Sequence, residues 1–493
     1  MQNLLENIWT DWKIGFTITI MLTVGAALIS AWLTPRGPIT AMQTLLSMAA
    51  ALILGLAAGF ITRSRWSLLI TPLVFITVFE IARLGVNGPS VDMVQLNSVY
   101  GIIAFVTGRM VHGFFVLLPM IVGTSYGLWF AHRLASRASA QVGIWGGVFT
   151  IGATLLLIVA AIFVAQPART APILGPDGER LPGSIAELTS VQLGGQDQVV
   201  MIRGRDSGNP VILYLAGGPG GTDIGAMRAD TTLEQDFVVA TWDQRGAGKS
   251  YAALDPAETL TLQQMISDTL ELTDYLRARF DEDKIFLVSN SWGTTLGVLA
   301  VQQSPERYHA YVGTGQMVSQ RETDIWFYQK TLQWAEQTGN QALAATLRQN
   351  GPPPYDRLFA YEASNSHEHD WNPYPELDMS LEMPAILFVP EYSLMDKLKT
   401  FPGFLDTFAI LYPQLQQIDF REDAVTLDVP VYIVLGKHEA EGRAVLAREW
   451  FEMLETPSKE LIVFEHSGHR PLFEEPAAFA AVMDQVFAET YPE

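Results

Sequence analysis

Residues 284–297 read KIFLVSNSWGTTLG, and the SNSWG within them (289–293) is one residue away from the pattern Gly-x-Ser-x-Gly. The apolar run IFLV leads in as a buried strand, and TTLGVLAV leads out as a helix with small residues on its near face. A strand, a sharp turn carrying serine and a helix form the setting in which a serine oxygen is pushed out at a strand end. Such a turn needs small residues two before and two after the serine. Gly293 satisfies the second requirement, and Ser289 is small enough for the first, though it lacks glycine's backbone freedom. Ser289 fails as the nucleophile because its own flanking positions are Leu287 and Ser291. Ser291 is therefore the candidate, and the competing reading is a plain strand followed by a polar helix start.

A serine nucleophile needs a base that an acid orients. Of the eight histidines, His469 follows the strand pattern LIVFE through a Ser-Gly turn and precedes Arg470-Pro471 and a final helix. His466, at the end of that strand, is the runner-up. His112 and His132 lie in an apolar region, and His309 opens a strand. His367 and His369 fall in SNSHEHD, which lacks helical His-x-x-x-His spacing and a further ligand set, so it reads as a solvated loop and not a metal site. For the acid, VPVYIVLGKHEAEG places Glu439 just past a strand, with Glu441 as the fallback and His438 as a bystander. AGGPGG (216–221) directly follows the strand VILYL, and its glycines allow close approach of the backbone to a substrate. Backbone N–H groups of Gly218 and Trp292 would form an oxyanion hole; the competing reading of AGGPGG is a plain Gly-Pro turn. In WDQRGAGKS (242–250), GAGKS ends like a phosphate-binding loop, but the position that must be the first glycine is Asp243, so no nucleotide is expected.

From residue 187 onward, short β-branched runs alternate with helical patterns, which indicates a mostly parallel sheet covered on both faces. In such sheets chemistry collects at the C-terminal ends of the strands. The stretch 316–427, rich in aromatics and proline and helical in pattern, interrupts this rhythm and reads as a cap over the site. The expected core segments are thus 187–315 and 428–493.

AGGPGG, DQRGAGKS, SNSWG and a terminal SGH occur in that order, and together they resemble the prolyl iminopeptidase branch of the α/β-hydrolases. The DQRG stretch is the most specific match, and the resemblance covers about residues 187–490. It implies an α/β-hydrolase fold, with Ser291 as nucleophile, His469 as general base and Glu439 where the family usually has Asp. It also implies Gly218 and Trp292 as the oxyanion hole, with Asp243 to Gly246 as support near the site. The order Ser, Glu, His is the one expected for that fold. Ala216 replaces the family's His before the glycines, Ser289 replaces a Gly, and the Trp-Glu-Gly segment of the aminopeptidases is not evident. In those enzymes cap carboxylates hold the substrate's free amine; the candidates here are Glu362, Glu376, Glu382 and Glu391. A small peptide or acyl substrate is expected, and no cofactor. The readings weighed are an aminopeptidase of proline iminopeptidase type, an esterase or lipid amidase, and a catalytically silent sensing or interaction module.

The first third has a different character. Residues 1–165 hold four acidic residues and eight Lys or Arg, against 48 acids and 23 bases in the remainder. The acidic remainder argues against nucleic-acid binding, which needs a basic footprint. Apolar runs near 14–33, 41–62, 67–84, 113–131 and 143–165 are long enough to span a bilayer, for which about 20 residues suffice. Five spans are expected, with four and six as alternatives; the short run 100–108 is re-entrant or half of a longer span. The first run lacks the basic start and cleavage site of a removable signal peptide and reads as a retained anchor. With the N-terminus inside, Lys13, Arg63, Arg65, Arg133 and Arg137 are inside and Arg36, Arg83 and Arg109 outside. Five spans then place residues 166–493 outside the cytoplasm of a bacterial-type cell. Glu80 and Arg83 read as an i,i+3 pair near a helix end, and residues 166–186, rich in Pro and Gly, as a linker. The chain has no cysteine, which excludes disulfides, a thiolate zinc site and a cysteine nucleophile.

Overall fold

The computed structural model describes residues 11–92, 94–134, 144–377 and 388–492. It divides into two compact units: residues up to Pro167 together with Ser393–Pro402, and Ala168–Tyr392 together with Gly403–Glu493. Ten residues within the stretch expected as a cap therefore group with the helical unit.

The helical unit contains α1 (Trp12–Leu33), α2 (Ala41–Thr62), α3 (Ser67–Ala82), α4 (Val99–Leu134) and α5 (Ile144–Val164). Four of these are long and apolar enough to cross a membrane; α3, with 16 residues, is shorter. The short apolar run at 100–108 proves to be the start of α4, joined to the remainder through a π-helical turn at Val106–Met110. Inside that turn Gly108 faces the Ser90 carbonyl, and Arg109 donates to the carbonyls of Val91 and Asp92 at 2.7 Å. Glu80 pairs with Arg83, and Arg109 approaches it at 3.5 Å, so this acid is held by two guanidinium groups at the helix end.

Glycine spacing sets the closest packing in this unit. Gly55 and Gly59 on α2 meet the backbone of Met120 and Thr124, and Gly123 and Gly127 on α4 meet that of Leu52 and Leu56. Both helices thus carry Gly-x-x-x-Gly, and the ascending pairing shows that they run parallel. Without side chains in the way, backbones approach closely and gain dispersion contact. The end of α3 lies beside the end of α1, since Arg36 donates to the Asn87 carbonyl at 2.8 Å and Arg83 to that of Pro35 at 3.3 Å.

The second unit is built on an eight-stranded sheet: β1 (Ile185–Leu193), β2 (Gln196–Gly204), β3 (Val211–Leu215), β4 (Val238–Asp243), β5 (Ile285–Asn290), β6 (Tyr308–Thr314), β7 (Val431–Gly436) and β8 (Lys459–Phe464). The order is β1-β2-β4-β3-β5-β6-β7-β8; β1 and β2 are antiparallel at one edge and the other six strands are parallel. Strands β3 to β7 are buried along their whole lengths, as their unbroken apolar runs require in a sheet covered on both faces. The helices are α6 (Ile224–Ala229), α7 (Leu262–Phe280), α8 (Trp292–Gln303), α9 (Gln320–Gln337), α10 (Gln341–Asn350), α11 (Leu358–Asn365), α12 (Glu368–Trp371), α13 (Leu394–Leu411), α14 (Phe420–Asp423), α15 (Glu441–Met453), α16 (Pro471–Glu474) and α17 (Pro476–Thr490). Those from α9 to α14 lie between β6 and β7 in the chain as a helical insertion, of which the first half of α13 groups with the helical unit. One sheet face packs Tyr214, Phe286, Val288 and Val434 against Phe479, Met483 and Val486 of α17. After β4 the chain crosses to the far side of β3, so the ends of β3 and β5 meet at the point where strand order reverses. That crevice is where ligands bind in open α/β sheets.

A methyl added at Gly123 would lie 2.1 Å from the Leu52 carbonyl oxygen, whereas one at Gly113 meets nothing nearer than a Leu117 methyl at 3.7 Å. Gly123→Ala should lower the thermal unfolding midpoint of the detergent-solubilised chain by several degrees, and Gly113→Ala should leave it in place.

Candidate active site

Ser291 stands between the last residue of β5 and the first of α8, with φ 53° and ψ −125°. A non-glycine residue in that region costs of order 1–3 kcal/mol and persists only where its surroundings over-determine it. Here its N–H donates to the Thr314 carbonyl at 3.0 Å, and its carbonyl accepts from the Thr294 N–H at 2.8 Å and the Thr294 hydroxyl at 2.6 Å. Gly293 lies so close to the end of β3 that a Cβ would sit 2.2 Å from the Leu215 carbonyl oxygen. At the other small position, Ser289 is fully buried. A Cβ at Gly297 would come within 2.6 Å of its Oγ, so the glycine absent at 289 is compensated in the second turn of α8, at 297.

The loop after β3 passes directly over this turn: a Cβ at Gly217 would lie 3.2 Å from that of Ser291. Gly218, the next residue, has φ 135°, where a side chain would be strained. Gln244 ties the two segments together. Its Nε2 donates to the Ala216 carbonyl at 3.2 Å and its Oε1 accepts from the Trp292 indole at 2.8 Å. The neighbours of Gln244 are held in turn. Asp243 accepts from the Tyr392 hydroxyl at 2.9 Å and the Lys249 N–H at 2.8 Å, and Arg245 pairs with Asp268 at 2.7 Å, both side chains fully buried. DQRG is thus a brace under the Ser291 turn and the glycine loop.

His469 follows β8, and its Nδ1 lies 2.7 Å from Glu439 Oε2. A carboxylate there accepts from Nδ1–H, which leaves Nε2 able to take a proton. Gly315 lies against the imidazole, where a Cβ would be 2.8 Å from Cε1, and Thr314 holds the Ser291 N–H. Ser291 and His469 therefore flank one turn, Thr314–Gly315. The loop of His469 is pinned by Arg470, which pairs with Asp223 at 2.6 Å, and by Glu474, which accepts from the Gly468 N–H at 2.6 Å. Asp223 also accepts from the buried Tyr214 hydroxyl at 2.8 Å.

Glu439 is just past β7, its side chain 1% exposed. Burial pushes its carboxyl up, but the Arg443 guanidinium and the His469 ring beside it prevail and hold it at about 2. Its second oxygen accepts from Arg443 Nε at 2.7 Å and from the Ala440 N–H at 2.8 Å. Arg443 and its further partner, Glu368, are not singled out by the sequence motifs; the one available signal is the i,i+4 spacing of Glu439 and Arg443.

The other candidates lie elsewhere. Glu441 pairs with Lys330 on the surface, and His438 stacks on Tyr374 at 5.1 Å. His466 is exposed and lies 3.3 Å from Glu376. His367 bonds Asp370 at 2.6 Å, and His309 packs against Phe286 and Tyr491. Of the cap carboxylates, Glu391 is buried against Arg228 at 2.8 Å, Glu362 lies on α11, and Glu382 falls outside the described residues.

The family model described as the alpha/beta hydrolase fold matches residues 210–476, more than half of the chain. The chain is an α/β hydrolase. This hydrolase is 30% identical over 317 residues to a probable aminopeptidase, YbaC, of Bacillus subtilis (strain 168), a match that covers 61% of this chain and 96% of that protein. It is 24% identical over 294 residues to a proline iminopeptidase of Heyndrickxia coagulans, covering 56% of this chain and 89% of the relative. Among solved structures, a proline iminopeptidase-related protein of Thermus thermophilus matches 62% of the hydrolase and 99% of its own chain, with 18% identity and a TM-score of 0.42.

Two outcomes follow for this site. Gln244→Leu leaves the Trp292 indole N–H buried without its acceptor, at a cost of about 1–3 kcal/mol, and should lower the thermal midpoint. Glu439 is charged and partnered in the fold, so its contribution to stability is complete above its ordinary value near 4.5 and is lost as pH falls through about 2. The stability gap between wild type and Glu439→Gln, measured by denaturant titration, should therefore narrow across that window.

Proposed function

We propose that the protein is a membrane-anchored serine aminopeptidase of proline iminopeptidase type, acting on short peptides. The observation that carries this reading is Ser291 at φ 53° on a strand-to-helix turn, beside a loop where His469 meets Glu439 at 2.7 Å. The names of the aminopeptidase relatives support the substrate class.

In this reading the Ser291 hydroxyl attacks the substrate carbonyl while His469 Nε2 takes its proton. The tetrahedral oxyanion is met by the N–H groups of Gly218 and Trp292; a single donor of this kind is worth about 10²–10³ in rate. His469 then protonates the leaving amine, and the C–N bond breaks to leave an acyl-enzyme. Water enters, gives its proton to His469 and releases the acid and the serine. Glu439 keeps the imidazole in the Nδ1–H tautomer and stabilises the imidazolium that forms twice in each cycle. The mainly helical stretch 316–427 serves as a cap that supplies the contacts to the substrate's amine. The apolar helices of residues 1–165 hold the enzyme in the membrane, and the Lys and Arg bias of their loops supports an extracytoplasmic hydrolase unit.

Fluorophosphonate labelling of the full chain tests the nucleophile: wild type should label and Ser291→Ala should not. Equal labelling of the two, or none of either, removes the enzyme and leaves the silent module. Proline and alanine arylamides assayed beside short acyl esters test the substrate: hydrolysis of the esters alone would establish the esterase or lipid amidase instead. Glu362→Gln and Glu376→Gln, made singly, identify the amine anchor as the position whose loss raises KM for arylamides and not for esters. Ser289→Gly should retain activity, because the space that Gly297 leaves for Ser289 accepts a smaller residue without a clash.

A further inference from the structure

Glu439 carries one more methylene than the aspartate usual at its position, so its carboxylate has an extra rotatable bond to be fixed. We propose that Arg443 is the positioning residue that fixes it, holding one oxygen of Glu439 so that the other faces His469, and that Glu368 of the insertion holds Arg443 in place. The proposal rests on the triad reading above.

The chain of contacts is continuous. Glu439 Oε2 meets His469 Nδ1 at 2.7 Å and Oε1 meets Arg443 Nε at 2.7 Å. The Nη2 of Arg443 pairs with Glu368 Oε1, on the four-residue helix α12. The guanidinium lies 4.8 Å from the centroid of the Phe327 ring of α9, which limits its orientation. The side chains of Glu439 and Arg443 are 1% and 6% exposed, so water does little to screen the charges. Burial works against the charge on Arg443, but Glu368 and Glu439 outweigh it and push its pKa up.

Two consequences follow. Arg443 takes up part of the negative charge that would otherwise belong to His469 alone. Glu368 offsets Arg443 and works in the opposite sense. Other charged or titratable groups on the elements packed here include the Arg470–Asp223 pair, Glu474 with Tyr374, His438 between Tyr374 and Glu376, His367 with Asp370, and Glu441 with Lys330. None of these contacts is made to Arg443 or Glu368.

The test follows the rate of Ser291 modification by a fluorophosphonate probe from pH 5 to 9, using the full chain in detergent. That rate rises with pH where a general base must be free to activate Ser291. Arg443→Met should move that rise to higher pH by about one unit and lower the plateau rate at least about tenfold, the scale of a buried charge interaction worth about 1.4 kcal/mol. Glu368→Gln should move the rise the other way, to lower pH. Arg443→Lys should restore the position of the rise and not the plateau, because it keeps the charge without the fixed fork. Opposite shifts are something a purely structural role would not produce. Ser291-dependent labelling whose pH profile is the same in all variants overturns the Arg443 proposal alone, whatever happens to their thermal midpoints. Should Arg443→Met fail to fold, the shift in Glu368→Gln decides the matter in the same way. Wild type that does not label overturns both this proposal and the reading on which it stands.

Discussion

The hydrogen bond from the Ser291 N–H to the Thr314 carbonyl fixes the geometry on which the second unit depends. It ties the start of α8 to the end of β6 and so keeps a non-glycine residue at positive φ. Everything nearby follows from that turn's demand for space. Gly293 leaves room for the end of β3, Gly297 leaves room for Ser289, and Gly217 lets the glycine loop pass over Ser291. Gln244 closes the arrangement by hydrogen bonding to both sides of the crevice. Most of this is backbone held by backbone, and the side chains that matter, Gln244 and the Arg245–Asp268 pair, are buried and mutually satisfied.

Much of this was legible in the residues themselves. The six parallel strands lie in apolar runs separated by helical patterns, and AGGPGG, DQRG, SNSWG and SGH each follow one of those runs or close it, where the sheet gathers strand ends around one crevice. Pairings across long separations were not legible. Arg443 meets Glu368 across 75 positions, and no local pattern singles out one acid among those of the insertion. DQRG could be recognised as a motif, yet that Gln244 bridges the Ala216 carbonyl and the Trp292 indole is a property of three strand ends brought together.

The helical unit shows the same division. Gly55-x-x-x-Gly59 and Gly123-x-x-x-Gly127 stand in plain sight as spacings. That they face one another, and in parallel, depends on how many passes lie between them. The Glu80–Arg83 pair was readable from i,i+3 spacing, but the approach of Arg109 from 29 positions away was not. The run at 100–108 reads as re-entrant or as half of a longer span because Gly108 and Arg109 interrupt its hydropathy; the structure has the longer span, carried through them by a π-helical turn.

That helix has a consequence for any bilayer that would receive it. At 1.5 Å per residue, the 36 residues of α4 extend about 54 Å and the 16 of α3 about 24 Å. A hydrocarbon core of about 30 Å fits neither. In a bilayer the long helix must tilt or project, while around the short one the lipids thin, each at a cost of a fraction of a kcal/mol per Å. The two mismatches pull in opposite directions within one bundle, so the unit's internal packing becomes sensitive to bilayer thickness. In such a bilayer acyl-chain length is a physical variable acting on this chain, alongside temperature and pH.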